Sequence, residues 1–245
     1  MKTFIYVLLI AIATASLVAA GVLLQRVDPA QKRPDFEPYC FPDTLANRSY
    51  NLDSLKAIIG DHKGLPEGFE VAAAIAYTAY PQLKDVKIDM ILTQDGAPME
   101  SAPDVWTLFG QRKNRQYRIL LNDTRKEGAF FEPILLRSLP FDAQVGILAH
   151  ELGHVVYYHR LNLFKFGKWG LKYLKDDKFR AIHERTTDLM PLYHGLGSQI
   201  YQYAYFVRKD SSCIEFFKKE QAFMDKYYMT DEELLEAIKS DAMHK

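Results

Sequence analysis

Ala149-His150-Glu151-Leu152-Gly153-His154 lies inside an apolar run from Val145 to Val156, and the reading of that stretch decides what the rest of the chain must build. On an α-helix a spacing of four stacks the two imidazoles one turn apart on one face, where both reach a single ion. Glu151 stands about 100° further round, beside that face without pointing straight at it. Val145, Leu148, Ala149, Leu152, Val155 and Val156 gather on the opposite side, which predicts an amphipathic helix with its histidines on the non-core face. Asp142 is its expected N-cap and Arg160 its expected end. Gly146 and Gly153 form a third strip that lets a neighbouring element come close. The competing reading is two ordinary histidines and a solvated glutamate on a surface helix.

The pattern H-E-x-x-H supplies two nitrogen ligands and a carboxylate base within five residues, the arrangement of zinc hydrolases. A catalytic zinc takes three protein ligands and leaves a fourth position for water, so one more ligand is needed. His159 is nine residues after His150. Metzincins place their third histidine ten residues after the first, where this chain has Arg160, and Tyr157 stands at their glycine position. His159 also falls opposite the ligand face and reads as a packed or helix-end histidine. Glu184, in Ile182-His183-Glu184-Arg185-Thr186-Thr187-Asp188, is the better candidate, returning on an antiparallel helix. Asp188, four residues on, shares its face and is placed to fix the ring orientation of a ligand histidine. The alternative for this pair is a solvated acidic face beside Arg180 and Arg185.

An E-x-x-x-D pair behind an H-E-x-x-H helix resembles the gluzincin branch of the zincin metallopeptidases, over roughly residues 116–197. The resemblance implies an α+β zincin-like domain, with a small, mostly antiparallel sheet packed on an active-site helix and further helices. It implies that Gln116–Asn122 is the edge strand that pairs with an extended peptide or protein substrate. It implies one Zn2+ on His150, His154 and Glu184, with Glu151 as general base and Asp188 behind the ligands. His183 stands where thermolysin has Asn, and Pro191 is unexpected in the following turn. A donor to the oxyanion is also expected, and His194 and Tyr193 are candidates near Glu184 in sequence. The rival classes are an exported metal-binding domain or pseudopeptidase without hydrolytic activity, and a domain in which the motif is chance.

The surrounding chain sets the frame. Its 245 residues are 48% hydrophobic and carry 31 basic against 31 acidic side chains, so one globular domain fits and nothing favours nucleic acid. Residues 1–24, with an apolar run from Phe4 to Leu24, read as a signal peptide or an N-terminal membrane anchor. Either one places the domain in an exported location (periplasmic, secreted or lumenal) or at a membrane. Residues 25–50 carry Pro29, Pro34, Pro38 and Pro42 and read as a linker; 51–245 is the domain. Cys40 and Cys213 form one disulfide or remain separate thiols. Strands are expected at Val86–Thr93, Val105–Phe109 and Gln116–Asn122. Helices are expected at Asn51–Ile59, Pro66–Ala79, Asp177–His194, Gly197–Val207 and Asp231–Ala242, the last opened by a capping box at Thr230–Glu233. Phe164–Leu174 reads as core packing, a flap, or a membrane-facing patch.

Overall fold

The computed structural model describes Leu45 and residues 49–125 and 128–243, an α+β fold in which these residues form eight α-helices and one four-stranded sheet. Helix α1 (Leu52–Ile59) is closed by its own neighbours. The Asn51 side chain accepts from the Ser54 amide, and Gly60 follows at φ +86°, a left-handed conformation glycine adopts without a Cβ clash. A short strand β1 (Lys63–Gly64) precedes α2 (Glu70–Thr78), which begins after the expected Pro66. Then come β2 (Lys87–Thr93), β3 (Met99–Pro103) and β4 (Gln116–Asn122).

The sheet order is β1-β2-β4-β3. It corrects two expectations. The sheet is mixed, not mostly antiparallel: β1 with β2 and β2 with β4 run parallel, and only β3 with β4 is antiparallel. The crossover through α2 returns the chain in the direction it left, as parallel strands require. Gln116–Asn122 is interior, with Tyr117, Ile119 and Leu121 fully buried, and the edges of the sheet are β1 and, beside Gln116–Asn122, β3. Val105–Phe109 is a 3-10 turn instead of a strand, because the Asp104 side chain accepts from the Trp106 amide and Thr107 donates back to the Asp104 carbonyl. Pro103 is tolerated at the end of β3 because an edge position asks less of its missing N–H.

Helix α3 (Phe141–Arg160) carries the motif, and fifteen of its twenty residues are buried, so it is a central helix with no solvent face. The α2 helix, β3, α5 (Asp177–Tyr193) and α6 (Gly197–Lys209) surround it. Pro140 is the N-cap; Asp142 instead turns outward to accept from the Leu45 amide at 2.7 Å and from Gln199 Nε2 at 3.1 Å. The two glycines do what their strip suggested. A Cβ on Gly146 would fall 2.2 Å from the Gln199 carbonyl oxygen on α6, and one on Gly153 would sit 3.1 Å from Thr187 and Met190 on α5. The remaining helices are α4 (Leu163–Lys175), continuous through Gly167 and Gly170, α7 (Ile214–Tyr227), and α8 (Asp231–Met243).

The capping box forms at α8: Thr230 N donates to Glu233 Oε2 at 2.8 Å and Glu233 N to Thr230 Oγ1 at 3.1 Å. Cys213 is buried with its Sγ 3.5 Å from the Pro133 carbonyl oxygen, while Cys40 lies outside the described residues. The apolar run at residues 4–24 and the linker through residue 44 lie outside them too. Among the described residues no helix is long and apolar enough to cross a membrane.

Candidate metal centre

Three side chains from two helices meet in the interior. His150 and His154 come from adjacent turns of α3, and Glu184 from α5, which Gly153 lets settle closely alongside. Glu184 Oε2 lies 3.6 Å from His150 Nε2 and 3.4 Å from His154 Nε2. All three are buried, and their ligating atoms lie within 4.8 Å of one another, a group able to hold a metal ion. Two imidazole nitrogens and one carboxylate oxygen suit zinc among the common ions, because calcium and magnesium ask for oxygen alone.

The groups behind the triad hold each ring in place. Asp188 Oδ1 is 2.9 Å from His150 Nδ1, a close ionic contact that misses the alignment of a hydrogen bond. The other Asp188 oxygen accepts from the Met229 amide at 2.8 Å, which ties the loop before α8 to the centre. His154 Nδ1 faces His183 Nε2 at 3.2 Å, and His183 is itself enclosed by Tyr157, Trp169, Tyr173 and Phe179. The Tyr173 hydroxyl, from α4, donates to Glu184 Oε1 and leaves Oε2 turned toward the histidines. Glu151 is buried beside the triad, and the Ser101 hydroxyl on β3 donates to its Oε2 at 2.8 Å.

The electrostatics are those of acidic and basic groups buried together. Burial opposes a charge on His150, but Asp188 and Glu184 outweigh it and hold the metal-free imidazolium up to about 10. Burial likewise opposes the Glu184 charge, yet His154 and His150 keep its carboxyl well below the usual range. His183 goes the other way, pushed down to about 3 by burial and by its neighbour His154, and so stays neutral. A neutral His183 has one donor and one acceptor nitrogen and can fix the His154 tautomer.

The centre opens onto a cavity of about 140 Å³, lined by His150 and Glu151 on one side and by Met99, Tyr203, Phe216 and Tyr228 among others. Its wall is mostly apolar, with Met99 at the start of the edge strand β3 in it. His194 and Tyr193 are not part of it. They stand about 14–15 Å of helical rise beyond Glu184, at the C-terminal end of α5. His194 stacks on Tyr80 and engages the Met190 carbonyl and Gln82 instead. Tyr228, whose ring centroid is 6.1 Å from that of His150, is the tyrosine that faces the cavity next to the triad. Ser101, Tyr173 and Tyr228 carry no spacing signal, since each is brought in by a different element. His159, as expected, packs at the helix end against the Tyr117 hydroxyl.

Comparison of the chain with protein-family models, curated proteins and solved structures finds no match.

Proposed function

We propose that this chain is a zinc-dependent metallopeptidase of gluzincin type. The observation that carries the reading is the meeting of His150, His154 and Glu184 beside Glu151, at the wall of a cleft bordered by an antiparallel edge strand. His150, His154 and Glu184 would hold the ion, which when bound supplies a Lewis acid that activates water near neutral pH and polarises a carbonyl. Glu151 takes a proton from the attacking water and returns it to the leaving amine. The Ser101 hydroxyl orients the Glu151 carboxylate meanwhile. An extended peptide adds along the open side of β3, with main-chain hydrogen bonds fixing its register and the apolar cavity receiving a side chain. Tyr228, at the cavity wall, is the donor we assign to the developing oxyanion.

The rival, a domain that keeps its metal without turnover, is favoured by one observation: Glu151 is only 6% exposed and already bonded to Ser101. One measurement tests the metal site that both readings share, and a second separates them. Purified protein should retain close to one equivalent of zinc after dialysis, and less than about half an equivalent rejects the triad. Glu151→Gln should keep that zinc and the fold but abolish cleavage of casein or a peptide library. Equal activity, or equal inertness, of wild type and variant removes the peptidase reading.

A further inference from the structure

The chain is neutral overall, yet its charge is unevenly laid. From Val105 to Asn122 and again from Leu152 to Lys175 there is no Asp or Glu, against nine Lys and Arg. The fold brings the two stretches side by side: Arg112 donates to the His159 carbonyl and Arg115 to the Leu161 carbonyl, which ties the turn after β3 to the start of α4.

Helix α4 has two unlike faces. Phe166, Trp169 and Tyr173 turn inward, onto Tyr158 and His183. Leu174, Phe164, Leu171, Lys175 and Lys168 share an outward arc of about 120°. Phe164 is 79% exposed, and in the segment just before Arg112 and Arg115 Trp106 is 70% exposed, with Phe109 also bare. Phe164, Leu171 and Leu174, bare on one arc of a single helix, mark a surface that meets something.

We propose that this face docks on an anionic membrane surface, with α4 lying in the headgroup plane and Trp106 entering beside it. Leu171 and Leu174 widen the bare arc with aliphatic surface on which no base stacks, so the stripe fits acyl chains better than a nucleic acid. Lysines flanking an apolar stripe instead match a lipid interface: their stems lie along the acyl boundary while their ammonium groups meet acidic headgroups. The linker at residues 25–44 spans at most about 70 Å when extended, so an uncut run at residues 4–24 would keep this face within reach of a bilayer. The proposal stands apart from the hydrolytic reading.

The test uses the full chain reconstituted in vesicles of phosphatidylcholine alone or mixed with phosphatidylserine, each containing phosphatidylcholine brominated on its acyl chains. Trp106 and Trp169 are the two tryptophans. Emission should be quenched in the anionic vesicles, much less in the neutral ones, and the quenching should vanish in Trp106→Phe. Each of Lys165→Glu, Lys168→Glu and Lys175→Glu should lower the docked fraction about fivefold, and added salt should undock the wild type. Equal quenching in both lipids, or none in either, overturns the proposal. So does a self-association in solution that Phe164→Ser abolishes, which would give the face to a second copy.

Discussion

His150 and His154 each turn one ring nitrogen toward Glu184 and the other toward a partner of different chemistry, a carboxylate for His150 and a neutral imidazole for His154. Loss of either partner leaves the donor atoms in place but frees the ring to rotate. Asp188→Ala and His183→Leu should therefore each weaken zinc binding by about 10–100-fold, and Glu184→Ala by more, in competition with a chelating dye. The metal must also displace the proton that Asp188 and Glu184 keep on His150 up to about 10. Binding thus releases a proton throughout the neutral range, and apparent affinity should fall about tenfold per pH unit of acidification for each proton released. A pH-independent affinity would mean that the metal-free imidazole is neutral.

At the scale of elements, the packing of α3 against α5 and α6 is set by its two glycines, and their substitution should separate fold from site. In Gly146→Ala the new Cβ meets backbone on α6, which cannot step aside. The expected loss is about 1–3 kcal/mol or more in denaturant unfolding. In Gly153→Ala it meets side-chain carbons of Thr187 and Met190 at 3.1 Å, and better helix propensity offsets part of the strain. Stability should change little there, while zinc affinity falls because α5 carries Glu184.

Elements that announce themselves through local chemistry were legible in the sequence. Asn51 and Gly60 bound α1, Thr230 and Glu233 open α8, and the alternation at Lys87–Thr93 is a strand. The strand β3 was not, because Met99–Pro103 has neither alternation nor β-branched residues and exists through its pairing with β4. Val105–Phe109 misled because its apolar residues look like a strand while Asp104 bends the backbone. The triad and Glu151 follow from spacing along two helices. Ser101 and Tyr173 do not, since they reach the site from elements whose placement is tertiary.

Across the whole molecule, the cavity joins the candidate centre to α6 and α7, elements far from the motif in sequence. Ala204, on its wall, offers a way to fill it without touching a ligand. Ala204→Phe should keep zinc and reduce cleavage at least tenfold through substrate binding, under the peptidase reading. Acid sensitivity also arises away from the centre. Burial holds His194 at about 4 against the opposing pull of the Met190 carbonyl, with Arg160 adding to the lowering. An unfolded histidine titrates near about 6.5, so between these values the unfolded chain takes up the proton and the folded chain does not. Stability should drop as pH falls through that window, and the drop in melting temperature should be shallower in His194→Gln.

The bond from the Leu45 amide to Asp142 spans 97 residues, and Gln199 completes it from α6. On the ribosome, Leu45 emerges long before its acceptor exists, so this contact closes only once α3 has been made. A nascent chain halted before α3 should leave the Leu45 amide open to hydrogen exchange, and one halted after it should protect that amide.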